Sequence, residues 1–286
     1  MADYFLRDDL RRGAMAHAID AATLLQWADD AARRAAPETM YREKEGRKTL
    51  RLQLQGNSFF LKDHRGVGWP EIAKNLMQLR LPVLGAGREY RAVRLLETIG
   101  VDTLAVAAYA SQGSNPATLH SMLLTDDLVD TVSLEDYCAD WRTNPPPFAV
   151  RMRLTLALAD IARRMHGAGI NHRDFYLCHF HLDEQSLQRA TLRCHVIDLH
   201  RARIRREIPR RWRVKDLAGL YFSAMDCGLT RRDLLRFMRH YEPGGLRVAL
   251  GKRAGLWRQV ARRARALYVK GHGGSPPAVA GPDHGH

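Results

Sequence analysis

A chain of 286 residues with 45% hydrophobic and 27% charged side chains can bury a full core and has the balance of a globular protein of one or two lobes. It has no run near the ~18 apolar residues of a membrane helix, no signal-like start and no C-x-x-C pair among Cys138, Cys178, Cys194 and Cys227. The expectation is a cytosolic chain without a disulfide or zinc framework. Its 45 Lys+Arg against 31 Asp+Glu leave +14, which favours an anionic partner: nucleic acid, phosphorylated lipid head groups or an acidic protein.

Residues 1–37 read as a helical lead-in, with Leu24, Leu25 and Trp27 set among alanines. A second region, 38–125, opens on Leu50, Leu52 and Leu54 alternating with Arg51 and Gln53, the two-residue period of a half-buried strand. Gln55-Gly56-Asn57 is a turn, and Ser58-Phe59-Phe60-Leu61-Lys62 is a second strand. Residues 64–87 hold an insertion with a short helix around Ile72 to Leu79. A helix follows from Arg88 to Thr98, stopped by Gly100, and Thr103–Tyr109 and Leu119–Thr125 read as further strands.

The third region, 126–270, is helical and rich in arginine, set off by Pro145-Pro146-Pro147. Val150, Leu154, Ala157, Leu158, Ile161 and Met165 recur at helix spacing and predict a helix with one apolar face, ending at Gly167-Ala168-Gly169. The basic excess concentrates at residues 201–215, with Arg201, Arg203, Arg205, Arg206, Arg210, Arg211, Arg213 and Lys215. A second block lies at 246–270, where there is no acid. From Gly271 the tail of glycine, proline and histidine is expected to be disordered, with His272, His284 and His286 solvated.

The chemistry is carried by Asn171-His172-Arg173-Asp174, with His179 five residues after the aspartate and Ile197-Asp198-Leu199 further on. A buried helix leading through a glycine turn into H-R-D, then a second aspartate, is the order of a kinase catalytic loop and its metal-binding acid. On that reading Lys62, at the end of the strand–turn–strand unit, occupies the position of the lysine that pairs with nucleotide phosphates. Glu89, near the start of its helix, is the candidate acid to orient it. Thr125-Asp126-Asp127 becomes the segment whose backbone would hydrogen-bond adenine.

Together these residues resemble the lipopolysaccharide core heptose kinases, members of the kinase-like superfamily that phosphorylate the first inner-core heptose. The resemblance runs over roughly residues 38–270. It is strongest in Asn171-His172-Arg173-Asp174-Phe175-Tyr176-Leu177-Cys178-His179-Phe180, whose C-H-F extension is far more specific than H-R-D. Val196-Ile197-Asp198-Leu199-His200-Arg201-Ala202, Gly46 and Phe60-Leu61-Lys62 also match. It implies an α+β, bilobal, protein-kinase-like fold with a small antiparallel β-sheet lobe and a larger, mainly helical one. It implies ATP and Mg2+ as cofactors, with Asp174 as base, Asp198 on magnesium, Lys62 held by Glu89 on the phosphates, and Gly46 in a reduced glycine loop. Asp216 resembles the buried helix acid that braces the catalytic loop.

His179 stands where a second metal-binding asparagine is expected, and imidazole is a poor ligand for the hard magnesium ion. No activation segment follows Asp198, which favours a small or glycolipid acceptor over a protein. The implied partners are the anionic inner-core glycolipid, an anionic membrane surface and an acidic protein, with no nucleic acid. The implied location is cytoplasmic, peripheral at the inner membrane. Trp257, Val260, Ala261, Ala264 and Tyr268 share a helix face that suits either the membrane interface or packing on the large lobe. Two competing readings remain: a kinase for another small-molecule or protein hydroxyl, and a degenerate kinase fold that binds an anionic partner.

Overall fold

A computed structural model describes residues 2–36, 40–44, 47–66, 68–77 and 85–279. The chain divides into two units: Met1–Leu95 with Leu104–Val129 and Leu199–Arg201, and Leu96–Thr103 with Asp130–Asp198 and Ala202–His286.

The first unit contains β1 (Asp3–Leu6), α1 (Asp8–Arg11), α2 (Ala21–Arg34), β2 (Met40–Lys44), β3 (Arg47–Leu54), β4 (Asn57–His64), α3 (Gly68–Met77), most of α4 (Gly87–Thr98), β5 (Val106–Gln112) and β6 (His120–Asp126). Its six strands form one antiparallel sheet in the order β1-β5-β6-β4-β3-β2. A two-residue turn joins β3 to β4, with Gln55 and Gly56 both at positive φ (51° and 79°), the geometry whose twist suits a hairpin. One face of the sheet is covered by the N-terminal helices. Leu10, Met15, Leu24, Leu25 and Ala28 pack with Leu50, Phe59, Leu61, Met122 and Leu124 in one buried cluster. Asp20 and Thr23 close a capping box at the start of α2, satisfying backbone donors that would otherwise be orphaned. Residues 2–36 thus add a strand and much of this core, and β1 has no signature in the sequence pattern.

Alternation along β4 buries Phe59 and Leu61 in that cluster and turns Lys62 to the other face. Beyond it, His64 is 4% exposed, and burial, then the charges of Arg47, Lys62 and His200, pull its pKa from 6.5 to about 3. A depressed histidine pKa means that the unfolded chain takes up the proton first, so stability is lost as pH falls below 6.5. By pH 4 the loss at this residue is expected to be roughly 3 kcal/mol. Urea unfolding of wild type and His64→Gln across pH 7 to 4 checks this. Parallel curves would show that His64 is not responsible.

The second unit contains β7 (Thr131–Ser133), α5 (Leu134–Tyr137), α6 (Phe148–Gly167), β8 (Ile170–Asn171), β9 (Phe180–Asp183), β10 (Cys194–Val196), β11 (Arg203–Ile204), α7 (Arg210–Ser223), α8 (Arg231–Tyr241), α9 (Gly245–Leu250) and α10 (Ala254–His272). The apolar face of α10 (Leu256, Val260, Ala264, Tyr268) is buried against α7, leaving its arginines outward. A cavity of about 540 Å³ lies among α5, α6, α7, α8 and α10, with eight leucines and Trp141, Phe237 and Trp257 in its lining. Residues 273–279 follow, and Val279 also lines that cavity. His284 and His286 lie outside the described residues. Among the described residues no helix is long and apolar enough to cross a membrane.

Candidate active site

In the first unit Lys62 Nζ lies 2.5 Å from Glu89 Oε1. Glu89 is 1% exposed, and its second oxygen, Oε2, has no hydrogen-bond partner among the described residues. A buried carboxylate is tolerated only when paired, and here the ammonium group supplies the pair. The start of α4 is fixed from two sides. Ala86 N–H donates to Ser121 Oγ at 3.0 Å on β6, and Tyr90 stacks on Tyr109 of β5 with ring centroids 4.0 Å apart.

The 125–127 segment differs from expectation. Asp126 N–H donates to Ala105 O and Asp127 N–H to Ser58 O, so these two amides are not open to a base. Their carboxylates are engaged too, Asp126 with Arg7 at 2.8 Å and Asp127 with Arg51 at 2.7 Å. Gly46 lies outside the described residues.

In the second unit the catalytic-loop sequence is held by its neighbours through backbone atoms. Two residues beyond the end of α6, Gly169 has φ 78°, and a Cβ there would sit 1.7 Å from Arg205 O, so only glycine admits the β8–β11 pairing. His172 N–H and Arg173 N–H both donate to Asp216, at 2.8 Å to Oδ2 and 2.8 Å to Oδ1. Asp216 is 1% exposed on α7, and His166 Nε2 lies 3.4 Å from its Oδ2. Leu177 N–H donates to Ser223 Oγ at 3.0 Å. Arg173 is thereby kept at φ 78°, a conformation costly for a residue with a side chain.

The same loop is tied to the segment bearing Asp198. His172 is fully buried, and burial holds its pKa below the ordinary value, so the ring is neutral. Its Nε2–H donates to Ile197 O at 2.9 Å. Ile197 N–H donates to His179 O at 3.0 Å, and Val196 N–H to Asp102 O at 2.9 Å. Asp198 itself has φ 58°, again a left-handed residue.

His179 lies between the two aspartates. Its Nδ1 is 2.6 Å from Asp174 O and its Nε2 is 3.5 Å from Asp198 Oδ2, while its ring stacks on His172. Since a carbonyl can only accept, Nδ1 carries the proton and the Nε2 edge faces the carboxylate. The structure therefore brings Asp174, His179, Asp198 and Asp216 into one network, and separately joins Lys62 to Glu89. For a divalent cation, Asp198 offers the hard oxygen that magnesium prefers, and His179 a softer nitrogen beside it.

Sequence reading missed Trp212. Its ring is ringed by cations: Arg173 Cζ at 5.0 Å, Arg211 Cζ at 5.4 Å, Arg205 Cζ at 5.8 Å and Lys215 Nζ at 5.9 Å from its centroid. The one available signal was a tryptophan inside the run Arg210-Arg211-Trp212-Arg213.

Comparison with known proteins adds a family. Residues 31–241 match the model of the lipopolysaccharide kinase (Kdo/WaaP) family. Over 232 residues the chain is 50% identical to a lipopolysaccharide core heptose(I) kinase WaaP of Pseudomonas aeruginosa, covering 81% of this chain and 87% of that protein. Over 229 residues it is 51% identical to the protein of the same name from Escherichia coli, covering 80% and 86%. A solved structure described as WaaP in complex with acyl carrier protein matches with a TM-score of 0.77 at 40% identity, covering 93% of this chain and 99% of that one. The expected fold class, an α+β kinase-like fold with an antiparallel sheet and a mainly helical part, holds. With a family model spanning most of its length and relatives at half identity, the chain belongs to the lipopolysaccharide kinase (Kdo/WaaP) family.

Proposed function

We propose that this chain transfers the γ-phosphoryl group of ATP to a hydroxyl of the first inner-core heptose of lipopolysaccharide. The observation that carries the reading is the braced loop at Asp174 tied to Asp198, in a chain half identical to heptose(I) kinases. Asp174 takes the proton of the sugar hydroxyl as that oxygen bonds to the γ-phosphorus and the bond to the departing ADP oxygen breaks. Lys62, oriented by Glu89, holds the phosphates. Asp198 would hold Mg2+, which when bound offsets negative charge on the β- and γ-phosphates. These roles are positioning and charge compensation, which dominate phosphoryl transfer. The test is incubation of the purified protein with ATP, magnesium and unphosphorylated inner-core lipopolysaccharide, followed by location of the phosphate by mass spectrometry. Phosphate on the heptose supports the reading. A folded protein that binds ATP but phosphorylates no heptose overturns the acceptor.

The outward arginines of α10, within the basic block of residues 246–270, suit work at the anionic cytoplasmic face of the inner membrane, as a peripheral protein. They also suit an acidic protein. We assign acyl carrier protein as that partner on the likeness to the solved WaaP complex, with the apolar cavity of the second unit receiving the acyl chain. Its volume of about 540 Å³ is that of a ligand pocket, and Arg151, Arg231 and Arg265 are among its lining. Acylated carrier is therefore expected to bind at least about 10-fold more tightly than carrier without its acyl chain, a difference of ~1.4 kcal/mol. In Leu234→Trp, which fills the cavity, that difference should vanish. Calorimetric titration of both carrier forms checks it, and equal affinities for wild type would remove the cavity from the interaction.

A further inference from the structure

The ring of cations around Trp212 is not explained by the fold. Four positive side chains converge within 6 Å of one ring centroid, from the catalytic loop (Arg173), from just after β11 (Arg205) and from the first turns of α7 (Arg211 and Lys215). Each contact with the ring returns only about 0.5–1 kcal/mol, and the charges repel one another. The repulsion acts on Arg205, whose pKa is pulled down by burial and then by Arg203 and Arg211. The first turn of α7 carries Arg210, Arg211 and Arg213 with no acid, although the dipole there favours negative charge. In residues 201–215 the sole acid is Glu207, and the nearby Asp216, which attracts Arg205, also accepts two backbone amides.

The cluster is also rigidly built onto the catalytic loop. Strand β11 pairs with β8 residue for residue, Arg203 opposite Asn171 and Ile204 opposite Ile170. Arg205 N–H donates to Gly169 O at 2.9 Å, and the Arg205 guanidinium donates to Asn171 Oδ1, three residues before Asp174. Arg173 immediately precedes Asp174 in the chain. An anion held here therefore sits a fixed distance from the proposed base, which is what an acceptor needs for its hydroxyl to be aligned.

We propose that Arg173, Arg205, Arg211 and Lys215, gathered around Trp212, form a site for an anionic group, carboxylate or phosphate, on the sugar chain that carries the accepting heptose. The proposal rests on the functional reading above and ranks the arginines of the 201–215 block: Arg205 and Arg211 face the acceptor. Guanidinium forks suit either anion by paired hydrogen bonds, and a lysine in place of Arg205 would keep the charge without the fork.

The experiment measures KM and kcat for wild type, Arg205→Lys, Arg205→Gln and Arg211→Gln, with three variable substrates. These are a lipid-free inner-core oligosaccharide bearing its anionic groups, a neutral alkyl heptoside, and ATP. The two glutamine variants should raise KM for the anionic oligosaccharide about 10-fold or more, the loss of one charge-assisted contact. Their KM for ATP and for the neutral heptoside should stay within about twofold of wild type. Arg205→Lys should fall between. An unchanged KM for the anionic oligosaccharide overturns the proposal, as does an equal loss with the neutral heptoside, which marks a structural role. A rise confined to ATP overturns it in favour of the nucleotide phosphates. Wild type transferring to no heptose acceptor overturns the functional reading, and this proposal with it.

Discussion

Asp174→Asn is expected to lower kcat by about 10²–10⁴-fold, the range for loss of a positioned base, while melting temperature and ATP affinity stay at wild-type values. The separation follows from how the loop is held. Its shape depends on backbone groups: the amides of His172 and Arg173 on Asp216, the amide of Leu177 on Ser223, and Asp174 O on His179. An asparagine side chain leaves every one of these in place and has nearly the same volume. What it removes, on the proposed role of Asp174, is the capacity to take a proton from the acceptor hydroxyl. Differential scanning fluorimetry, ATP titration and kcat measured on the same preparation decide the matter. A variant that melts well below wild type would mean that the Asp174 side chain supports the fold, and its kinetic loss would then say nothing about a base.

Much of this arrangement was legible in the sequence because it is local. The period of two at Leu50, Leu52 and Leu54 and the Gln55-Gly56 turn specify the hairpin that delivers Lys62, and the observed strands run from Arg47 to Leu54 and Asn57 to His64. The apolar stripe through Leu154, Ile161 and Met165 specifies α6, and its glycine stop leads to the catalytic loop. Glu89 was found because an acid in the first turn of a helix is a conspicuous position, and the pair it makes with Lys62 spans 27 residues.

What escaped depends on partners distant in the chain. Strand β1 has four residues and earns its place only by pairing with β5 a hundred residues later, which no local period announces. The expected contact of adenine with the backbone of Thr125-Asp126-Asp127 took no account of Ala105 and Ser58, distant in sequence, which accept from the amides of Asp126 and Asp127. Trp212 meets Arg173 from 39 residues away, and Arg205 from seven. In each case the chemistry-bearing residue was visible and its partner was not. The converse holds for His179. Its place in the loop was plain, but the use of Nδ1 on Asp174 O, which turns Nε2 to Asp198, is a matter of ring orientation alone.

Asp216→Asn should show the opposite pattern to Asp174→Asn: lower stability first, and lower activity as its consequence. Each Asp216 carboxylate oxygen accepts one buried amide at 2.8 Å. An asparagine keeps one acceptor and turns an N–H₂ group toward the other donor, so one charge-assisted bond is lost and one buried N–H is left unsatisfied. Bonds to charged groups contribute about 1.5–3 kcal/mol, and an orphaned donor costs about 1–3 kcal/mol, so a net loss of roughly 2–4 kcal/mol is expected after partial relaxation. The melting temperature should fall by about 4–16 °C, taking ~2–4 °C per kcal/mol for a body of this size. Relaxation has an obvious direction. Arg173 is held at φ 78° by these bonds, and once released it can return to ordinary backbone geometry and carry Asp174 out of position. A displacement near 1 Å is enough to cost about 10²-fold in rate. Ser223→Ala, which removes two neutral bonds at the far side of the loop, one accepted from Leu177 N–H and one donated to Leu220 O, should cost about 1–3 kcal/mol and leave kcat near wild type. If Asp216→Asn instead melts with wild type and keeps its kcat, the loop is braced from elsewhere, and the left-handed Arg173 needs another cause.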